Sequence, residues 1–211
     1  MTRDTCFSAA QRHLMRADPV IARLIERSPD FDPRAWLEAL PEMDAFGTLI
    51  FQVVGQQLSL RATRSILDRL IARFDGRLPT PAQLHAADPE ALRRTGLSRR
   101  KVQTLRAIAE RFLDGTLSMA GLGAMSDEAV ERRLTEISGV GPWTAHGFLI
   151  IALGREDVVL PGDLALRNAI RSAYELDHLP SSDEVLAIAE PWRPYRTLAT
   201  SYLFASAFGG D

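Results

Sequence analysis

Two short runs bring together residue types with chemical capacity. The first, LTEISGVGPWTA at residues 134–145, closes one helical pattern and opens another across Gly139-Val140-Gly141. Pro142 is the expected first residue of the second helix, a position whose N–H has no intrahelical partner in any case. The spacing predicts a hairpin too tight for a side chain at either glycine, with the amides around Gly139 and Gly141 turned outward. Backbone donors at a helix N-terminus, with the positive end of its dipole behind them, hold a phosphate oxygen without reading sequence. Val140 and Thr144 belong to the same predicted surface. The second run, LPGDLALR from Leu160, delivers one carboxylate directly ahead of a helix. An acid so placed can stabilise positive charge developing on a substrate, and it can equally be an ordinary helix N-cap. Taken alone, the residues leave both roles open for Asp163.

The elements that must position these runs read as helices nearly throughout. Apolar spacing of three and four, or a plausible cap, predicts helices over Val20–Ile25, Trp36–Leu40, Phe46–Val54, Leu60–Phe74, Pro89–Thr95 and Val102–Leu113. The same reasoning predicts Asp127–Ile137, Pro142–Leu153, Asp163–Tyr174, Ser182–Ala189 and a last helix from about Pro194 to Phe208. Breaks are expected at Asp75-Gly76, Pro79-Thr80-Pro81, Leu113-Asp-Gly and Gly121-Leu-Gly. No alternating strand pattern is present, so the expected fold class is all-α.

At 46% apolar residues without a long apolar run, 211 residues suit a globular chain with a sizeable core. The opening residues are punctuated by charge, which argues against a signal or membrane segment and makes a cytoplasmic location the expectation. Cys6 is the only cysteine, which excludes an intramolecular disulfide and a four-cysteine iron–sulfur cluster. His13, His85, His146 and His178 lack metal-ligand spacing. The formal net charge is −2, yet residues 61–115 hold twelve Arg and Lys against six Asp and Glu. Arg61, Arg64, Arg93, Arg94, Arg99, Arg100 and Lys101 are candidates for a phosphate-facing surface, with ordinary solvated helix faces as the alternative. The turn from Gly96 through Lys101, carrying Arg99, is the best single candidate.

Four blocks, namely VGQQLSLRATRSILDRL from Val54, TGLSRRKVQTLRAIAERFLDG from Thr95, the glycine hairpin and LPGDLALR, are joined by the weaker WRPYRTLATSYLF from Trp192. Together they resemble the helix-hairpin-helix DNA glycosylase superfamily, and within it the 3-methyladenine DNA glycosylase II type, from about Asp44 to Phe208. The resemblance implies two helical lobes, residues 43–158 and residues 1–42 with 159–211, and an active-site cleft between them. It makes Asp163 the catalytic acid residue. It implies that Gln56, Gln57, Leu58 and Ser59 form the turn that enters the DNA stack, with Gln57 the first choice of wedge and Leu58 the second. Bifunctional relatives attack with a lysine just after the hairpin; Trp143 stands there, and Lys101 is the only lysine of the chain. A monofunctional hydrolase that leaves an abasic site is therefore expected.

Trp143 would present an aromatic face to a cationic alkylated base, with Phe204 and Tyr202 closing the pocket. Gly147, where relatives often carry a bulky aromatic, implies a roomier pocket and a substrate range beyond 3-methyladenine and 7-methylguanine to 1-methyladenine, 3-methylcytosine and ethenoadenine. The resemblance also implies a structural Na+ or K+ on the carbonyls of Thr135, Ile137 and Val140, and no other cofactor. The expected partner is double-stranded DNA with alkylated bases, met by a monomer at a bacterial nucleoid. Two other readings compete: a hairpin module that only grips DNA, which would need the glycines but not Asp163, and a bifunctional glycosylase/lyase for oxidised bases, opposed by Trp143 and the missing cysteines.

Overall fold

The computed structural model describes residues 8–32, 35 and 42–208. Among them every regular element is helical: α1 (Ala9–Ala17), α2 (Pro19–Arg27), α3 (Ala45–Gly55), α4 (Leu60–Arg73), α5 (Pro81–Ala86), α6 (Pro89–Arg93) and α7 (Arg99–Leu113). The order continues with α8 (Met119–Gly123), α9 (Asp127–Thr135), α10 (Pro142–Ile151), α11 (Leu164–Ala173), α12 (Ser182–Ala189), a 3-10 turn at Glu190–Trp192 and α13 (Arg196–Phe208). No helix among the described residues is long and apolar enough to cross a membrane. The expected helix at Trp36–Leu40, and Cys6, lie outside the described residues.

The helix starts follow side-chain chemistry. Ser8, Thr80 and Ser181 build reciprocal capping boxes with Gln11, Gln83 and Glu184, while Asp18, Asp44, Ser59, Asp88, Ser98, Ser118, Ser126 and Asp163 each accept a first-turn amide. Of two expected breaks, the one at Pro79-Thr80-Pro81 does separate α4 from α5, and the one at Gly121-Leu-Gly is corrected. Thr80-Pro81 is an N-cap with proline at N1, so it opens α5, and Gly121-Leu-Gly lies inside the short helix α8 that Ser118 caps.

The chain divides into two compact units, Glu42–Gly154 and Met1–Pro41 with Arg155–Asp211. In the first, α3 is buried from Ala45 to Val54 and packs against α4, α7 and α10, which is why its sequence is apolar all round rather than striped. Leu49 and Ile50 are fully buried there, so Leu49→Ala would cost about 2–5 kcal/mol. The hairpin helices α9 and α10 pack on each other, and α5 and α6 pack against α7.

In the second unit, α13 packs against α2 and α11. Asp18, only 7% exposed, ties this unit together. Its Oδ1 accepts the Val20 and Ile21 amides at 2.8 and 3.2 Å, and its Oδ2 accepts the Trp192 indole N–H at 2.9 Å and the Tyr174 hydroxyl. Four donors compensate the buried carboxylate. Burial and the neighbouring Asp18 carboxylate push the Tyr174 hydroxyl well above the usual tyrosine range.

Candidate functional site

The hairpin is built from the end of α9. The Val140 amide closes the turn onto the Ile137 carbonyl at 2.9 Å, and Val140 itself is buried. Gly139 has φ +91°, and a Cβ there would overlap Thr104 Oγ1 and meet Thr104 Cβ and Cγ2 at 3.1 and 3.2 Å. That threonine donates to the Ser138 carbonyl at 3.0 Å and so holds the turn against α7. Gly141 differs from the expectation of tightness at both positions. Its φ is −106°, no atom lies within 4 Å of where its Cβ would be, and its carbonyl accepts the Thr144 and Ala145 amides at 3.0 and 3.1 Å. Among the described residues the Gly139 and Gly141 amides donate to no acceptor, whereas the Val140 amide is used inside the turn. The two glycine amides beside the start of α10 are thus left without a protein acceptor, as amides at a helix N-terminus commonly are.

Two residues expected on the DNA-facing surface point inward. Thr144 is 1% exposed, and its hydroxyl accepts from Gln56 Nε2 at 2.9 Å. The second hydrogen of that amide goes to the Gly139 carbonyl, also at 2.9 Å. Lys101 is committed to a contact within the protein. Its Nζ donates to the carbonyls of Val54 and Gln56 at 2.8 and 2.9 Å, placing a cation at the C-terminal end of α3, where unpaired carbonyls and the negative end of the dipole favour one. Partial burial pulls its pKa below the ordinary lysine value. Arg99, on the first turn of the same helix, is exposed.

Above these contacts the Gly55–Ser59 turn projects. Gln57 takes φ +58°, an uncommon conformation for a residue other than glycine, and is exposed; Leu58 is 41% exposed. The Leu58 amide donates to the Gly55 carbonyl at 3.1 Å, and Ser59 caps α4 through the Ala62 amide at 3.3 Å.

On α10, Trp143 is 39% exposed, unusual for a large aromatic ring. His146, one turn on, pairs with Glu131 at 3.0 Å and bridges the two hairpin helices. Gly147 is buried, and the expectation of vacant space beside it is not met. A Cβ there would come within 2.5 Å of Cδ, Nε2 and Oε1 of Gln52, so the carboxamide of Gln52, a residue 4% exposed, fills the gap between α3 and α10.

Asp163 lies in the other unit, at the N-cap of α11. Its Oδ1 accepts the Leu166 amide at 2.8 Å, and its own amide donates to the Leu160 carbonyl at 3.0 Å. The chain leading to it is docked on the start of α13. The Thr197 amide donates to the Glu156 carbonyl at 2.9 Å, and the Val158 amide donates to Thr197 Oγ1 at 3.1 Å. Arg196 reaches Asp157 Oδ1 and the Asp157 carbonyl, both at 2.6 Å. Tyr202 departs from its expected place at the pocket: it is 1% exposed, its hydroxyl accepts from Gln11 Nε2 at 2.7 Å, and its ring packs 5.0 Å from that of Phe31. Phe204 is half-buried.

Sequence reasoning missed Gln52 and Thr104. Each is a polar residue at an apolar-face position of its helix, and that mismatch was the available signal. The sequence matches the HhH-GPD superfamily of base excision DNA repair proteins over residues 50–194. It is 32% identical over 205 residues to DNA-3-methyladenine glycosylase 1 of Schizosaccharomyces pombe, covering 96% of this chain and 89% of that one. A 3-methyladenine DNA glycosylase from the same yeast, solved with abasic DNA, superposes with a TM-score of 0.86 at 32% identity, covering 94% of this chain and 96% of that one. A DNA-3-methyladenine glycosidase from Bacillus halodurans gives a TM-score of 0.81 at 30% identity, covering 95% and 90%.

Proposed function

Because the chain belongs to the HhH-GPD superfamily of base excision DNA repair proteins, we infer that it is a DNA glycosylase that releases alkylated bases by hydrolysing the N-glycosidic bond, leaving an abasic site. The observation that carries this reading is the presence in one chain of two hairpin amides without a protein acceptor, at Gly139 and Gly141, and a carboxylate fixed at a helix start, Asp163. The amides hold a backbone phosphate regardless of sequence. Methylation at purine N3 or N7 makes the base cationic, so it departs as a neutral molecule without prior protonation. The barrier then lies in the positive charge developing on the sugar. Asp163 supplies the opposing charge and orients the attacking water, while the exposed face of Trp143 favours a cationic base by about 0.5–2 kcal/mol.

Lysine chemistry plays no part. The chain's one lysine spends its ammonium on two backbone carbonyls. With Gln52 over Gly147, 3-methyladenine and 7-methylguanine are the favoured lesions, and enlarged adducts gain no room there. Gln57 and Leu58 serve as the wedge, and Arg99 adds a phosphate contact. The enzyme works as a monomer inside the cell. A hard monovalent cation would be held by the carbonyls of Thr135, Ile137 and Val140; Thr135 closes α9, at the negative end of its dipole, and the Ile137 oxygen, which accepts the Val140 amide, keeps a second lone pair. Such an ion would neutralise that end of the helix.

Asp163→Asn tests the proposal. The substitution should leave affinity for abasic duplex within about threefold, while single-turnover release of 3-methyladenine falls by two orders of magnitude or more, because the carboxylate acts where charge develops. Release at the wild-type rate would remove Asp163 from the chemistry and favour a hairpin module that only grips DNA.

A further inference from the structure

The inward contacts of Gln56 and Lys101 join two loops that the DNA reading uses for different tasks. Gln56 ends α3 and leads directly into Gln57, the residue with a left-handed backbone and an exposed side chain. Its carboxamide spends both hydrogens on the hairpin, one on the Gly139 carbonyl and one on Thr144 Oγ1. From α7, Lys101 Nζ holds the carbonyls of Val54 and Gln56. The backbone of Gln56 is thereby tied to α7, and its side chain is tied to the hairpin. Thr104, one turn along α7 from Lys101, donates to the Ser138 carbonyl. One helix therefore references both loops.

We propose that Gln56 and Lys101 are positioning residues for base extrusion: they register the wedge turn against the phosphate grip, so that binding the backbone presents Gln57 and Leu58 at one fixed base step. The inference rests on the glycosylase reading above. The physical requirement is strict, because a wedge must enter a stack whose spacing the protein does not set, at a position measured from a phosphate that the hairpin does set. A misplacement near 1 Å is enough to cost about a hundredfold in rate. The side-chain bonds of Gln56 to the hairpin and the Lys101 bonds to its backbone remove that freedom before DNA arrives. Neither residue touches the reacting atoms in this scheme.

The experiment compares paired and pre-extruded lesions. Gln56→Met keeps length and bulk but has no N–H donors; Lys101→Met removes the ammonium, and Lys101→Arg retains a cation able to reach both carbonyls. Single-turnover release of 3-methyladenine is measured from a matched duplex and from the same strand without its complement, where no extrusion is needed. Extrusion is read separately, in the Asp163→Asn background, by the fluorescence of 2-aminopurine placed beside the lesion site. The proposal expects the ratio of duplex to single-strand rate to fall tenfold or more in Gln56→Met and Lys101→Met, with a matching loss of the fluorescence rise and substantial recovery in Lys101→Arg. An unchanged ratio, with both rates falling together or neither falling, would overturn it and reduce the contacts to fold maintenance. If wild-type protein releases no base but the fluorescence rise still depends on Gln56, the glycosylase reading fails and the registration stands; if neither signal is present, both fail.

Discussion

The two hairpin glycines differ in what they are for, and a pair of alanine substitutions separates the roles. At Gly139 a methyl group meets three penalties. An L-residue at φ +91° pays for the left-handed backbone, the Cβ lies 3.1–3.2 Å from Thr104 Cβ and Cγ2 and overlaps Oγ1, and relief by rotating Thr104 breaks its bond to the Ser138 carbonyl. Backbone strain of about 1–2 kcal/mol, overpacking of about 1–3 and a lost hydrogen bond of about 1 total roughly 3–6 kcal/mol. Whole-domain stability is about 5–15 kcal/mol, and at about 2–4 °C per kcal/mol for a chain of this size the melting temperature of Gly139→Ala should fall by roughly 6–24 °C. Gly141 has φ −106° and open space where a Cβ would go, so Gly141→Ala should stay within about 1 kcal/mol of wild type.

Duplex affinity orders the pair differently. If the open space at Gly141 receives a phosphate, as proposed, Gly141→Ala should weaken binding several-fold at unchanged stability, equally for all sequences. Calorimetry and fluorescence anisotropy on the same preparations supply both numbers. Adding Thr104→Ala to Gly139→Ala removes the Oγ1 and Cγ2 overlaps but not the backbone strain, so the double-mutant cycle should show a favourable coupling of about 1–3 kcal/mol. Equal melting temperatures for the two alanine variants would refute the account of Gly139, and wild-type affinity in Gly141→Ala would place that amide off the DNA surface.

Other expectations follow from single contacts. Neutralising Arg99 should reduce the salt slope of DNA binding by up to about 0.9, whereas Lys101→Met should lower thermal stability and leave that slope unchanged; the reverse pattern would return Lys101 to the phosphate surface. Gly147→Tyr should depress release of small and enlarged lesions alike and lower the melting temperature, because it displaces Gln52 between α3 and α10; selective loss on ethenoadenine would show that the residue lines the pocket after all. The Asp177 carboxylate first, then Glu184, raise the His178 pKa above the ordinary 6.5, so their stabilising contribution is complete below that value and is lost as pH rises through the raised one. An NMR titration should find the His178 midpoint lowered by Asp177→Asn, and no movement would dismiss that pair.

What the sequence could disclose was governed by range along the chain. Caps and helical periodicity depend on residues three or four apart, so the helices carrying Trp143 and Asp163, and the reversal at Gly139, are legible in the residues alone. The bonds that place the candidate site span much longer distances: Lys101 reaches Val54 and Gln56 across 47 and 45 residues, and Gln56 reaches Gly139 and Thr144 across 83 and 88. A lysine among arginines on a basic stretch has the same composition whether it faces phosphate or the end of another helix. Only knowing which helix end lies opposite decides between them. Gly147 fails for the same reason, since a missing side chain reads as space until Gln52, from a helix almost a hundred positions earlier, is seen to occupy it. Residue type therefore announced which chemistry was available, and long-range packing decided which side chains were already committed to holding the loops in place.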